Sequence, residues 1–254
     1  MKKREPEIGN GANMSDSIIN YRNTVDQPWG RMFYDLIDRH LDLPEKKKLK
    51  ILDFGAGFCL TANRCAKYHE VTAVEPNEEM AALRFQDNDY TLGIQGAEYL
   101  PTVEGNAYDV VICHNVLEYV EEAETVLRQL VRTLKPGGIL SIVKHNDYGR
   151  VMAYAVLNDN PKAALDLLIN EKAEDCMFGR RNVYDNEFLI DSLADRMVLT
   201  DIYGIRTFYG LSSNNDIKFS DEWYQSMLDL ETKAGAMEEY RRIAFFNHLL
   251  FLKK

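Results

Sequence analysis

Apolar residues between positions 15 and 43 recur at helical intervals. Trp29, Phe33, Leu36, Ile37 and Leu41 sit three and four apart, which predicts an amphipathic helix; Pro44 and the charged run at 45–48 end it. From Lys50 onward, short apolar runs alternate with amphipathic segments. The runs at 51–54, 71–75, 91–95, 110–113 and 139–143 predict strands, and the patterns at 60–67, 77–85 and 121–134 predict helices between them. Strands separated by helices pair in parallel through right-handed crossovers, so the expected fold is an α/β doubly wound sheet. Ligands of such sheets bind beyond the carboxyl ends of the strands. After the fifth strand the alternation lapses into helical patterns at 148–157, 162–169 and 185–193, which predicts a helical cap inserted at about 146–195. A strand at 198–204, a helix at 223–237 and a last strand at 243–252 complete the pattern. Residues 1–14, polar and glycine-containing, read as a mobile tail, and 15–254 as a single domain.

Composition narrows the class. In 254 residues, 46% hydrophobic and 28% charged, there is room for one large domain with an ordinary core. No run approaches the roughly 18–20 apolar residues of a membrane span, and the first residues lack the apolar centre of a secretory signal, so the expected location is the cytoplasm. The formal net charge of −10 repels polyanions on average and leaves only a specific nucleic-acid substrate open. Cys59, Cys65, Cys113 and Cys176 have no metal-binding spacing, so no metal is expected and buried thiols are the simplest reading.

The most informative segment is Leu52-Asp53-Phe54-Gly55-Ala56-Gly57-Phe58-Cys59, a strand running through a glycine turn into a helix. Glycines allow close backbone approach to a ligand, and the following amides favour an anionic group. Glu75, at the end of the second strand, is placed to accept hydrogen bonds from a ribose. A dinucleotide satisfies this geometry too, but its loop would carry Gly or Ala at the sixth position, where this chain has Leu60.

Across most of 49–143 the sequence resembles the class I S-adenosylmethionine-dependent methyltransferases. The resemblance rests on Ile51–Gly57, on Val74-Glu75-Pro76-Asn77, on Gly96-Ala97-Glu98-Tyr99-Leu100-Pro101, on Tyr108–Val120 and on Leu134-Lys135-Pro136-Gly137-Gly138. It implies a Rossmann-like seven-stranded methyltransferase sheet with an N-terminal helix and S-adenosylmethionine as cofactor. The residues it implies for the cofactor are Asp53, Gly55, Ala56, Gly57, Glu75, Pro76, Ala97, Glu98 and His114, with Arg31 joining from the N-terminal helix. Cys59 stands where many members have a third loop glycine, which requires a negative φ there, and Gly96 replaces the usual Asp, which makes Glu98 the candidate for the adenine amine.

A narrower resemblance covers His145–Met152, Gly204–Phe208 and Leu228–Thr232. These segments look like the bacterial tRNA 5-carboxymethoxyuridine methyltransferases, which implies esterification of a carboxylate on a modified wobble uridine. The alternatives are a small-molecule O- or N-methyltransferase and a non-catalytic S-adenosylmethionine-binding protein. A carboxylate acceptor needs no base. A hydroxyl or amine does, and His114 and His145 are then the candidates, each with a structural imidazole as its plainer reading. Arg206 is the candidate to grip a carboxylate or phosphate, or else a member of a surface ion pair. Tyr21 and Asn146 are further substrate candidates, and Arg180 and Arg181 weaker ones from the cap.

Overall fold

The computed structural model describes residues 14–170, 174–176, 179–182 and 184–254. The helical pattern near the N-terminus resolves into two helices, α1 (Met14–Val25) and α2 (Pro28–Leu41), rather than one. The reason is local. Pro28 lacks an amide proton and forces Gln27 into extended backbone (ψ 162°), so the chain restarts with proline in the first turn of α2. Five strands follow at their expected places: β1 (Lys50–Phe54), β2 (Glu70–Val74), β3 (Thr91–Gly93), β4 (Tyr108–His114) and β5 (Leu134–His145). Between them lie α3 (Leu60–Ala66), α4 (Glu78–Ala82), a 3-10 turn (Ala97–Thr102) and α5 (Ala123–Thr133).

Beyond β5, α6 (Asp147–Met152) continues into a π-helical turn (Ala153–Leu157) and is followed by α7 (Pro161–Asn170). A small hairpin of β6 (Glu174–Cys176) and β7 (Gly179–Arg181) and then α8 (Asn186–Leu193) complete the crossover. Leu189 and Leu193 of α8, late in the segment expected as a cap, are buried in the same core as Leu127 and Leu130 of α5. The chain then runs through β8 (Met197–Ile205), α9 (Asp221–Gly235), α10 (Glu238–Arg241) and β9 (Phe246–Lys253).

The main sheet has the order β3-β2-β1-β4-β5-β9-β8. The pairs from β3 to β5 are parallel, and β9 runs antiparallel between β5 and β8. This makes β8 parallel to β5 and brings its carboxyl end to the same edge of the sheet. The register states how close: His145 pairs with Phe246, which pairs with Ile205, so Arg206 emerges two strands from His145. One sheet face packs Ile51, Ile112 and Val143 under Leu36 and Ile37 of α2 and Tyr224 and Leu228 of α9. The other packs Leu52, Val111 and Ile142 under Leu127 and Leu130 of α5. Burial on both faces explains why these strands read as continuous apolar runs. At the amino edge, the Asp109 carboxylate accepts from the Lys50 amide (2.8 Å) and the Lys135 ammonium (2.8 Å), tying β4 to β1 and β5.

Candidate cofactor and acceptor site

The glycine turn leaves β1 with two residues in the left-handed region, Gly55 (φ 75°) and Gly57 (φ 57°). At Gly55 a side chain is excluded twice over, because a Cβ would also lie 2.3 Å from Cγ2 of Val116. That contact sets the end of β4 directly against the turn. Cys59 departs from expectation: its φ is +56°, not negative, and it accepts the left-handed conformation as a buried N-cap whose amide bonds the Ala56 carbonyl (2.7 Å). Burial, with the nearby Asp53 charge, pushes the Cys59 thiol up to about 12, so it is an inert packing group.

Two acidic side chains face this turn. Glu75 is buried and accepts from the amides of Gly57 (2.7 Å) and Asn77 (2.8 Å), so one carboxylate ties the glycine turn to the start of α4. Burial raises its pKa, and those two amides pull it partly back. Asp53 is 3% exposed, and its Oδ2 has no hydrogen-bond partner among the described residues. Burial moves its pKa up to about 7; the Ala62 amide opposes this and the charge of Glu75 adds to it. Tyr21 and Tyr34 cover the pair from α1 and α2. Burial raises both phenols, with Glu75 adding to the effect at Tyr21, and Tyr21 and Asp53 at Tyr34. Tyr34 has no local sequence signal, since only the packing of α2 brings it to the carboxylates.

At the other side of the edge, Arg206 stands in a left-handed bend (φ 64°) just after β8. Glu231 of α9 is fully buried and accepts from three successive amides, Thr207 (2.8 Å), Phe208 (2.7 Å) and Tyr209 (2.6 Å), which holds the bend in place. The Arg206 guanidinium lies 5.6 Å from the ring centres of Tyr209 and Phe245. Its Nε is buried without a partner, and no carboxylate lies within ion-pair distance of it among the described residues. Burial lowers its pKa, against the pull of Tyr209 and Glu231. A surface ion pair therefore does not describe it. The π-helical turn at the base of the cap packs beside the Tyr209–Leu211 turn, so the cap borders this guanidinium.

Residues 52–142 match the family model of the methyltransferase domain. Over those residues the chain is similar to a methyltransferase domain. The chain is 33% identical over 129 residues to a ubiquinone biosynthesis O-methyltransferase of Rickettsia typhi, covering 47% of this chain and 52% of that one. It is 28% identical over 141 residues to the tRNA 5-carboxymethoxyuridine methyltransferase of Escherichia coli, covering 52% of this chain and 54% of that one. The chain thus spans about half the length of these relatives. Two solved structures, each 13% identical and covering 96% of this chain and 99% of theirs, share its fold. One is the methyltransferase in a Haloferax volcanii complex with a methyltransferase activator (TM-score 0.62), and the other is an N-methyltransferase of Bradyrhizobium japonicum with bound S-adenosylhomocysteine (TM-score 0.54). The bound S-adenosylhomocysteine belongs to that second structure, and the likeness to it shows the fold.

The cradle of this chain would suit a ligand of the S-adenosylhomocysteine kind. Its orphaned Asp53 oxygen offers a carboxylate to a cationic group, and Gly55 and Gly57 leave the turn bare of side chains. Ala56 lies between them, and Pro76 is exposed just past Glu75. The 3-10 turn from Ala97 places Glu98 on the surface, but its carboxylate is folded back onto the Gly96 amide (2.6 Å), which lowers its pKa. Glu98 thus braces its own turn. Arg31 is half exposed, lies 4.2 Å over the Tyr224 ring, and pairs with Asp35 (3.6 Å) and Asp221 (4.0 Å).

Of the acceptor candidates, Asn146 is a brace: its amide donates to the carbonyls of Arg242 (2.9 Å) and Ala244 (2.8 Å), which anchors α6 to the loop before β9. Tyr21 packs on Phe58 at the glycine turn (ring centres 5.3 Å apart). His145 shares the Glu118 Oε1 atom through its backbone amide (2.8 Å) and its Nδ1 (3.2 Å). Burial raises the Glu118 pKa, but the His145 contacts outweigh it and leave the carboxyl lowered. His114 bonds inward to Ser141 (2.7 Å). The side chains of Arg180 and Arg181, and residues 1–13 of the expected tail, lie outside the described residues.

Proposed function

We propose that the protein transfers the methyl group of S-adenosylmethionine to a carboxylate held by Arg206, and that the acceptor is the carboxymethoxy group of a modified wobble uridine in tRNA. The observation that carries this reading is the Arg206 guanidinium: buried along one edge, unpaired, and fixed by Glu231 at the carboxyl edge of the sheet. A buried guanidinium nitrogen left without a hydrogen bond is costly, and a planar carboxylate is the ligand that a guanidinium fork binds best. The rings of Tyr209 and Phe245 flank the guanidinium and restrict its orientation. The likeness to the E. coli tRNA enzyme supports the same acceptor.

The cofactor supplies an electrophilic methyl on a sulfonium. The protein's part is alignment. Glu75 and the glycine turn would hold the nucleoside end, Asp53 the cationic end, and Arg206 the acceptor, so that a carboxylate oxygen lies in line with the methyl–sulfur bond. With S-adenosylmethionine held there, its sulfonium would supply the methyl group and keep the electron pair of the broken bond as a neutral thioether, while Arg206 would aim the acceptor oxygen that forms the new C–O bond. Opposite charges on the two reactants are both consumed, so no base is required, and positioning supplies the main catalytic contribution.

One observation favours a second reading. His145, oriented by the buried Glu118 carboxylate, has the arrangement of a general base, which a hydroxyl acceptor would need. The likeness to a ubiquinone biosynthesis O-methyltransferase points the same way. The deciding assay feeds purified protein S-adenosylmethionine with tRNA from cells that contain or lack the carboxymethoxy modification, or with small phenols. Release of S-adenosylhomocysteine only with modified tRNA, lost in Arg206→Ala, is the expected outcome. Turnover on phenols alone, blocked by Glu118→Gln, would transfer the assignment to the second reading. Cofactor binding with no turnover on any acceptor would leave a non-catalytic binding protein.

A further inference from the structure

Four side chains that the methyl-transfer scheme does not use form a continuous polar chain beneath the site. His114 Nε2, at the end of β4, lies 2.7 Å from the Ser141 hydroxyl on β5, and that hydroxyl lies 2.7 Å from Nε2 of His248 on β9. His248 Nδ1 in turn lies 3.2 Å from Nδ1 of His40 on α2, whose ring stacks on Tyr203 at 4.2 Å. Ser141 and His248 are wholly buried. The two terminal nitrogens, His114 Nδ1 and His40 Nε2, are buried with no partner among the described residues. Burial pushes the pKa of His40 and of His114 down to about 3, and that of His248 well below its ordinary value, so all three rings are neutral at physiological pH.

Hydrogen counting then couples the rings. The Ser141 hydroxyl has one proton, so one flanking Nε2 donates to it and the other accepts from it. Between His248 and His40 only one of the facing Nδ1 atoms carries a proton. Two arrangements satisfy both links. In one, His114 is protonated at Nδ1, His248 at Nε2 and His40 at Nδ1. In the other, each ring carries its proton on the opposite nitrogen. Each arrangement leaves one N–H unpartnered, on His114 in the first and on His40 in the second. An unmade donor in the interior is penalised, whereas a bare lone pair is tolerated better. A ligand that accepts a hydrogen bond at the end of β4 therefore draws the whole chain into the first arrangement. That end is where Val116 touches Gly55, beside the cofactor turn.

We propose that His114, Ser141, His248 and His40 are one tautomer-coupled unit that presents His114 Nδ1–H to the acceptor carboxylate, with Ser141, His248 and His40 as positioning residues. This rests on the carboxylate reading given above, and it makes His114 a specificity-setting donor in place of a base.

The test is nitrogen-15 NMR of the imidazoles in the full chain, free, with S-adenosylhomocysteine, and with that product plus 5-carboxymethoxyuridine nucleoside. The free protein is expected to show His114 and His40 with the same tautomer and His248 with the opposite one, and the nucleoside to shift His114 to Nδ1–H. Unmatched tautomers in the free protein overturn the coupling and leave the carboxylate reading standing. Failure of the nucleoside to bind the product-loaded protein sinks the carboxylate reading and the donor role together, while binding with His114 protonated at Nε2 sinks the donor role alone. In turnover, Ser141→Ala is expected to raise the acceptor KM about fivefold with kcat and cofactor affinity held, and Ser141→Thr to restore it, as a lost hydrogen bond predicts. Equal KM values for the Ala and Thr variants, with both folded by circular dichroism, count against the positioning role.

Discussion

Asp53 is the residue through which pH acts on this protein. In the unfolded chain its carboxyl titrates near 3.8, and in the folded, ligand-free protein burial holds it at about 7. A group whose folded pKa is raised binds its proton more tightly when folded, so stability is lost as pH rises from the unfolded value to the folded one and is level above it. At about 1.4 kcal/mol for each tenfold change, the full penalty is about 4.5 kcal/mol, of which roughly 3 kcal/mol develops between pH 5 and pH 8. Replacing Asp53 with Asn removes the titration and keeps the shape. Urea unfolding of ligand-stripped protein should therefore show the stability of Asp53→Asn relative to the parent rising by about 3 kcal/mol over that interval. Taking the difference isolates Asp53 from Glu75, which both proteins retain. Cofactor affinity should move the other way. If the carboxylate form receives the cationic end, the parent binds about tenfold more weakly at pH 6 than at pH 8, and the Asn variant is weak throughout. A stability difference that stays flat from pH 5 to pH 8 would refute the buried, uncompensated carboxylate and with it the reason for assigning Asp53 to a cation.

The remaining predictions follow from single contacts. Gly55→Ala meets both a left-handed φ and Val116, so it should cost about 2 kcal/mol or more by denaturation and abolish cofactor binding by calorimetry, with cofactor affinity in a well-folded variant counting against the turn. Glu231→Gln replaces a carboxylate that serves three amides; it should loosen the Arg206 bend, raising acceptor KM about tenfold with cofactor affinity unchanged, a split that titration calorimetry and kinetics read separately. Arg31→Ala should leave cofactor affinity within about twofold, because an exposed pair contributes little and its side chain packs away from the cradle.

What the sequence determined by itself was whatever depends on neighbours along the chain. All seven strands of the main sheet were legible, the central ones because burial on both faces leaves an unbroken apolar run, and the edge strands β3 and β8 from short β-prone segments set between helical patterns. The glycine turn and Glu75 were legible for a related reason: a left-handed φ and a strand-end acid are properties of single positions. The break at Pro28 was equally local, but the helical spacing on either side of it concealed the restart. Tertiary structure decided everything that depends on which distant residue fills the space next to a group. Arg31 is set by Asp35, Asp221 and the Tyr224 ring, and Glu98 by the Gly96 amide. Cys59 took a left-handed bend because burial fixes its backbone more strongly than its side chain resists. Tyr34 at the carboxylates, Glu231 under the Arg206 bend, and the histidine chain from β4 through β5 and β9 to α2 join residues far apart in sequence. No periodicity encodes such meetings. They exist because β9 is threaded antiparallel between β5 and β8, which lays His248 beside Ser141 and turns the end of β8 toward the cofactor edge.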